Sequence, residues 1–343
     1  MISMNQVILL FVSTFVFVGA LTPVMRQIAI KIDFVDHPNV AHKSHKVATP
    51  YLGGVAIIIG ILVVVYAALF TQENMRDNLW TATSLFGPAL LLGFVGLIDD
   101  RKALNPLPRF IAQTIAGIFT ASLLILTDTV GNPSGNVVLD VAITVVWIVG
   151  IINSINFFDN LDGGAAGAVA VSAFGLFVIT QANGQYLIAA SSIAITGAML
   201  GFLIWNRSPA RIYMGDAGSL FLGTLLATLT VRLNPDAASK TISFAIPLFL
   251  LAVPVLDTTV AVISRIRRGI SIFQGGQDHL SHRLLRKGLT KYKCVQVLWS
   301  LTLVFAGISM IIATIDAVAI YFFYIGGFFW LTLFGTFLTT ADE

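Results

Sequence analysis

The stretch from Asn153 to Gly164 places polar side chains between two apolar runs. Asn153, Asn156 and Asp159 are three residues apart, and Asp162 follows one helical turn later. At a helix end, side chains at this spacing lie on one face. Oxygen ligands beside flexible glycines suit Mg²⁺ and a phosphorylated ligand. A capped helix end and turn is the alternative interpretation, because Asn, Asp and Gly favour caps and turns.

Two adjacent carboxylates, Asp99 and Asp100, end another apolar run. Like charges this close raise the pKa of one group unless a metal ion, a lysine or an arginine neutralises them. Helix C-termini disfavour Asp, which favours a functional interpretation over polar punctuation. Whether one of them acts as a base or holds a cation is left open by the residues. Arg109, where the next apolar run begins, is placed to meet an anionic headgroup.

A Gly-Asp-x-Gly-Ser turn at residues 215–219 contains one carboxylate, Asp216. Small residues let the backbone approach a phosphate, and amides that precede a helix favour an anion. Asp216 is therefore a candidate ligand of a bridging metal. Tyr213 is a candidate for stacking on a base, and an interfacial belt tyrosine is the equal alternative.

The segment 31–54 is basic and contains three histidines, with Lys43 and His45 as candidate phosphate contacts. The spacing of the histidines fits no usual zinc pattern. An anion-binding loop and a solvated basic loop remain the two interpretations of this segment.

The segment 264–294 is strongly basic and carries His279, His282 and Arg283. It is suited to close over the pyrophosphate or sugar of a charged substrate. The alternative is a basic amphipathic segment that lies on anionic lipid.

One acid, Asp257, lies within an apolar run, about two helical turns before Arg265. An acid at membrane depth is by default functional or paired. We therefore expect Asp257 to pair with Arg265 or Arg267.

The candidate residues lie between long apolar runs, whose helices must bring them together. The 343-residue chain is 57% hydrophobic and 11% charged, with a mean hydropathy of +0.88. These values indicate an all-α polytopic membrane protein with about 11 (10–11) transmembrane helices in a single domain, residues 1–343. The predicted runs are roughly residues 7–30, 50–70, 83–98, 108–127, 138–152, 164–181, 186–204, 218–231, 241–263, 295–314 and 317–338.

The distribution of Lys and Arg predicts the orientation. With the N-terminus outside, 17 of the 20 Lys and Arg residues lie on the inner side. The loops that carry the candidate residues are then cytoplasmic, and the first run is a retained span rather than a signal peptide. A single cysteine excludes an intrachain disulfide, and the net charge of +3 gives no indication of nucleic-acid binding.

Taken in order, these motifs resemble the polyprenyl-phosphate N-acetylhexosamine-1-phosphate transferase family (glycosyltransferase family 4), which includes the phospho-MurNAc-pentapeptide translocase. The resemblance runs from the Pro-Asn…Thr-Pro-x-x-Gly-Gly loop at 38–54 to His-x-x-His-Arg at 279–283. It implies transfer of a sugar-1-phosphate from a UDP-sugar to undecaprenyl or another polyprenyl phosphate, with release of UMP. The Asp-Asp-Arg-Lys-Ala-Leu-Asn-Pro-x-x-Arg spacing is similar to the GlcNAc-1-phosphate branch. Another UDP-N-acetylhexosamine and UDP-MurNAc-pentapeptide are the alternative donors.

The resemblance also implies roles for individual residues. It makes Asp99, Asp100, Asp159 and Asp162 catalytic, makes Asn156 and Asp216 ligands of Mg²⁺ (or Mn²⁺), and places the lipid phosphate on Arg109. The implied contacts to the nucleotide and sugar are Lys43, His45, Asn153, Tyr213, His279, His282 and Arg283.

Two positions depart from the family pattern. The usual Asp-Gly-x-Asp-Gly has Asn160 in place of its first glycine, and the usual His-x-His-His has Ser281 in place of its middle histidine. Asn still visits left-handed φ, so the turn tolerates it. The change at Ser281 bears on sugar recognition more than on the chemistry.

The implied partners are a UDP-sugar, a polyprenyl phosphate and the bilayer, and a homodimer is left open. The catalytic face is expected on the cytoplasmic side of the plasma membrane, because nucleotide sugars are cytosolic. A secondary transporter is the rival from another class, given the span count and Asp257. Transporters, however, place polar residues near the midplane of inverted repeats, whereas here they gather in the inward loops.

Overall fold

The computed structural model describes residues 2–36, 49–71, 75–126, 134–235 and 239–340. These described residues are almost entirely helical, with one small pair of strands. The elements are α1 Met4–Lys31, β1 Val35–Asp36, β2 Thr49–Pro50, α2 Gly53–Leu69, α3 Met75–Lys102, α4 Pro106–Leu126, α5 Val137–Phe158, α6 Gly164–Ala182, α7 Tyr186–Asn206, α8 Gly215–Val231, α9 Lys240–Leu250, α10 Ala252–Arg267, α11 Leu280–Arg286, α12 Lys291–Thr314 and α13 Asp316–Leu338.

The helices confirm an all-α polytopic membrane protein. Among the described residues, eight helices are long and apolar enough to cross a membrane. The bent pair α9 and α10 makes a ninth, and α2 and α8 are shorter apolar helices. Each predicted apolar run contains a helix, and the total of eleven spans and the orientation stay predictions.

The ninth apolar run is broken, which its composition did not reveal. α9 and α10 meet at Leu251 with a bend of 78°. Pro254 lies in the first turn of α10 and has no N–H to offer the carbonyl of Leu250, which weakens a continuous helix at this point and favours the break. The prediction of one helix over residues 241–263 was therefore wrong.

Helix α8 is buried along nearly its whole length and packs against α2, α3 and α5. Glycines permit the closest of these approaches. A Cβ at Gly54 would lie 2.2 Å from the Gly218 nitrogen, and a Cβ at Gly96 would lie 2.3 Å from the Asp216 carbonyl oxygen. Only glycine therefore fits at these contacts, which place the start of α8 against the start of α2 and the end of α3.

The two short strands hold the segment that precedes α8. β1 pairs antiparallel with β2, with Asp36 opposite Thr49. The Tyr213 amide donates to the Pro50 carbonyl (2.8 Å), and the Gly53 amide donates to the Tyr213 carbonyl (3.0 Å). These bonds fix the backbone of Tyr213 beside the start of α2.

Candidate active site

Four helices meet at one network of polar side chains. Arg109, at the start of α4, donates through Nη1 to Asp99 Oδ2 at the end of α3 and to Asp216 Oδ2 at the start of α8, the latter at 2.7 Å. Asn156, at the end of α5, donates to Asp216 Oδ1 (2.7 Å) and to Ser219 Oγ (2.9 Å). The structure therefore brings together four predicted site residues that are scattered along the sequence.

The adjacent carboxylates of α3 have different partners. Asp100 accepts from the amides of Asp216 (2.8 Å) and Ala217 (3.1 Å), so it binds the N-terminal amides of α8. Asp99 is 5% exposed and accepts from the Leu104 amide (2.6 Å) as well as from Arg109. The anion on the amides of the Gly-Asp-x-Gly-Ser turn is thus a side chain of this chain. The cation expected beside Asp99 and Asp100 is Arg109, which binds Asp99.

The turn after α5 is held in place by three other parts of the chain. Gly163 has φ +76°, and its amide donates to Asn206 Oδ1 (3.0 Å). Trp299 Nε1 donates to the carbonyls of Gly163 (3.2 Å) and Gly164 (3.1 Å). The amide of Ala210 donates to Asp162 Oδ2 (3.1 Å). Asp162 therefore positions the loop between α7 and α8.

Asp159 begins this turn, directly after the last residue of α5. Burial, with the nearby charges of Asp100 and Asp162, raises the pKa of the Asp159 carboxyl to about 7. A carboxyl with a pKa near the working pH is suited to accept or release a proton. Asp159 and Tyr213 are close enough to interact electrostatically, and burial raises the pKa of the Tyr213 hydroxyl to about 12.

An apolar cavity of about 520 Å³ adjoins the network. It lies between α4, α5, α10 and the segment at Ile272 and Phe273, and Arg109 lines it. Asn153 also lines this cavity and donates to Gln113 Oε1 (2.6 Å). Asn153 is therefore placed at the apolar cavity rather than in the network of Asn156. Sequence reasoning missed Gln113, for which the only signal was a lone amide within an apolar run.

Asp257 has a different partner from the expected one. Its carboxylate binds His279 Nδ1 (2.7 Å) and the Leu280 amide (2.7 Å). Arg265 binds Asp278 through two hydrogen bonds of 2.8 Å each. The expected pairing of Asp257 with Arg265 or Arg267 was wrong, because the chain folds back after α10 and inserts residues 278–280 between them.

The pKa of Asp278 reflects this arrangement. Burial by itself would raise the pKa of this carboxyl, but the hydrogen bonds and charge of Arg265 lower it below its usual range. Arg268 adds a further bond to Asp278 (2.9 Å). The segment therefore begins with an ion pair at the end of α10.

Arg283 and His282, the other two site residues predicted in this segment, differ in their hydrogen bonding. Arg283 is 1% exposed and donates to the carbonyls of Asp278 (2.9 Å), Phe337 (2.9 Å) and Thr340. These contacts support a structural role for Arg283, in place of the predicted donor contact. His282 Nδ1 is buried without a hydrogen-bond partner among the described residues, and burial lowers the pKa of this imidazole to about 4. Lys43 and His45 lie outside the described residues.

The oxygen atoms of the network fit a hard divalent cation. Mg²⁺ is usually held by one or two carboxylates, with substrate phosphates and water completing its shell. Asp216 and Asn156 supply a carboxylate and an amide within hydrogen-bond distance of each other. The part of the chain that the structure describes contains no group of three or more His, Cys, Asp and Glu side chains arranged around one point. Substrate oxygens would therefore have to supply part of such a shell.

Comparison with known proteins shows the family of this chain. The sequence model of glycosyl transferase family 4 matches residues 82–234, which contain the whole network. The chain is also 33% identical over 309 residues to the probable undecaprenyl-phosphate N-acetylglucosaminyl 1-phosphate transferase of Bacillus subtilis (strain 168), covering 88% of this chain and 84% of the relative. The chain belongs to glycosyl transferase family 4.

Two further relatives match most of the chain. The decaprenyl-phosphate N-acetylglucosaminephosphotransferase of Mycobacterium tuberculosis (strain ATCC 25618 / H37Rv) is 31% identical over 303 residues, 80% of this chain and 74% of the relative. The phospho-N-acetylmuramoyl-pentapeptide-transferase of Staphylococcus carnosus (strain TM300) is 28% identical over 317 residues, 87% of this chain and 95% of the relative. The resemblance predicted from the motifs is confirmed.

Proposed function

We propose that this protein transfers GlcNAc-1-phosphate from UDP-GlcNAc to a polyprenyl phosphate and releases UMP. The observation that carries the proposal is the position of Arg109, which binds Asp99 and Asp216 and also lines the apolar cavity. A cation between an acidic network and an apolar cavity suits a ligand with a phosphate at one end and a hydrocarbon at the other. The names of the relatives from B. subtilis and M. tuberculosis support a polyprenyl phosphate as acceptor and N-acetylglucosamine phosphate as the transferred group.

The acceptor is expected to occupy the cavity. Phe110, Val149 and Phe157 offer apolar surface to the prenyl units next to the phosphate, and the rest of the chain extends into lipid. The phosphate then lies against Arg109, which can turn towards it because its side chain is 26% exposed. Binding of the phosphate would release Asp216 from its bond with Arg109.

The donor is expected on the other side of the network. Tyr213 offers its ring to the uracil, and its backbone is already fixed by Pro50 and Gly53. Asp216 and Asn156 would hold Mg²⁺ with the pyrophosphate of the donor. When bound, this ion would offset the charge of two anions that must approach each other.

The transfer is a displacement at phosphorus. An oxygen of the acceptor phosphate bonds to the β-phosphorus of the donor, and the bond from that phosphorus to the bridging oxygen breaks, so UMP leaves with the bridging oxygen. Asp159 would accept the proton of an acceptor phosphate that is still protonated, since its pKa of about 7 suits that task. Asp99 and Asp100 would position Arg109 and the start of α8, because donors already occupy their oxygens.

The remaining predictions concern the setting of the reaction. We propose that the site faces the cytoplasm at the plasma membrane, since UDP-sugars are cytosolic and most Lys and Arg residues lie at that end of the spans. A homodimer stays a prediction.

The decisive experiment measures UMP release by the purified protein with undecaprenyl phosphate, Mg²⁺ and UDP-GlcNAc. We expect release that requires the lipid, stops with EDTA and returns with added Mg²⁺. Asp216→Asn keeps the shape of the side chain but removes its charge, and we expect it to lower the rate by roughly 100-fold. Asp316→Asn, at an exposed acid of α13, is the matched control.

Three outcomes separate the alternatives. Release with UDP-MurNAc-pentapeptide but not with UDP-GlcNAc would keep the reaction and change the donor. Equal rates for the Asp216→Asn and Asp316→Asn variants would remove Asp216 from the metal site. No release with any UDP-sugar, together with uptake of a substrate into proteoliposomes, would favour the transporter.

A further inference from the structure

The two departures from the family pattern contact each other. Ser281 Oγ donates to Asn160 Oδ1 at 2.5 Å, although the residues are 121 positions apart. Ser281 lies in the first turn of α11 and is 1% exposed. Asn160 lies in the turn that follows α5. This bond therefore joins the segment that carries His279 and His282 to the turn that carries the acids.

Both polar atoms of the Asn160 side-chain amide are hydrogen-bonded. Its Nδ2 donates to the Phe157 carbonyl at the end of α5 (2.8 Å), while its Oδ1 accepts from Ser281. The amide plane is thus set by α5 and presents its oxygen to α11. A glycine at position 160 would provide neither bond. Because Ser281 is 1% exposed, a larger side chain at this position, such as a histidine ring, would have to displace neighbouring atoms.

The other side of the segment is attached to different helices. Asp257 of α10 binds His279 and the Leu280 amide, and Arg283 binds carbonyls at the end of α13. Phe157 makes an edge contact with the His279 ring at 5.8 Å between centroids. Ser281 supplies the side-chain hydrogen bond on the face towards Asn160. Among these side-chain hydrogen bonds, this one attaches residues 277–283 to the turn after α5, whereas the others attach them to α10 and α13.

We propose that Asn160 and Ser281 are positioning residues, whose hydrogen bond holds residues 277–283 against the turn 159–163 and so sets the site for the sugar of the donor. The proposal rests on the proposed function for its effect on the donor, and on the geometry alone for the link itself. Neither residue has to touch a substrate. The bond acts through the placement of His282, whose Nδ1 has no partner among the described residues.

The test is a double-mutant cycle with Asn160→Ala, Ser281→Ala and the double variant, measured as kcat and KM for UDP-GlcNAc. Loss of a buried hydrogen bond is expected to raise KM by about five- to tenfold in each single variant, with a smaller change in kcat. The double variant should match the worse single variant, since both changes remove the same bond. Ser309→Ala, which removes another fully buried hydroxyl that bonds the Ile246 carbonyl, should leave KM unchanged.

A second measurement separates this proposal from the proposed function. The thermal midpoints of the same three variants can be measured without substrate. If the decrease in the double variant is smaller than the sum of the two single decreases, the hydrogen bond is supported even in a protein that releases no UMP. Losses that simply add, in either KM or midpoint, overturn it. A rescue variant, Asn160→Gly with Ser281→His, restores the family residues at both positions and is expected to recover more activity than Asn160→Gly alone. Equal activities would contradict the matched fit of the two side chains.

Discussion

The carboxylate of Asp100 accepts hydrogen bonds from the backbone amide of Asp216 and from the amide after it. The end of α3 therefore caps the start of α8. Asp100, the second acid of the Asp-Asp motif, holds the backbone of Asp216, the acid of the Gly-Asp turn. Gly215 between them has φ +69°, and a Cβ there would lie 2.6 Å from Asp100 Oδ2. This contact holds together two motifs that are more than a hundred residues apart in the sequence.

Replacing Asp100 with Asn tests this cap. An Asn side chain still accepts a hydrogen bond, but it loses the favourable interaction of a charge with the N-terminus of α8. We expect a loss of about 1 kcal/mol in stability and a greater relative loss of activity, because Asp216 moves with the helix. Thermal unfolding in detergent and UMP release measure the two effects. An Asn variant with wild-type activity would show that the cap does not position Asp216.

Gly96→Ala tests the close approach of α3 and α8. The added Cβ would lie 2.3 Å from the Asp216 carbonyl oxygen, which is backbone and cannot rotate away, so α8 must shift. We expect activity to fall by more than about tenfold even when the variant still folds, since displacement of a site by about 1 Å is costly. Gly307→Ala in α12, where a Cβ meets no atom within 4 Å, is the control and should retain full activity. Similar losses in both variants would mean that the contact is not specific.

The pKa of Asp159 predicts a pH dependence. With a folded-state pKa of about 7, this carboxyl is mostly protonated below pH 6 and mostly ionised above pH 8. If Asp159 accepts a proton, the rate rises with pH over this interval. The measurement is kcat/KM from pH 5.5 to 9 in wild type and in Asp159→Asn. A variant that keeps the wild-type inflection would assign the titration to the acceptor phosphate.

The neutral form of His282 predicts a loss of stability in acid. Its pKa is about 4 in the folded protein and about 6.5 in an unfolded chain, so the unfolded state takes up a proton first. The stabilisation from this group is complete above pH 6.5 and is lost as the pH falls towards 4. The side chain is partly exposed, so we expect a loss on the order of 1–2 kcal/mol. Between pH 7 and pH 5, the thermal midpoint of the His282→Gln variant should fall less than that of the wild type. An equal fall in both proteins would exclude His282 as the cause.

The apolar runs and the polar motifs between them could be predicted from sequence because each depends on local composition. A bilayer accepts only segments whose backbone groups are all hydrogen-bonded, so a long continuous run of apolar residues forms a helix wherever it packs. The acids Asp99, Asp159 and Asp216 were found for the complementary reason, since charge at the end of such a run is costly unless it has a partner. The break at Leu251 was missed, because Pro254 bends a helix only where neighbouring helices accept the bend.

The partners of the polar residues were decided by tertiary structure. The chain by itself determined a helical membrane protein with a set of acids, amides and cations at helix ends. Only packing brought Arg109 between Asp99 and Asp216, gave Asp257 to His279 instead of Arg265, and turned Arg283 towards the end of α13. Each of these pairs joins residues from separate parts of the fold. Hydrogen bonds form over about 3 Å, and sequence spacing carries no information about distances of that size between elements.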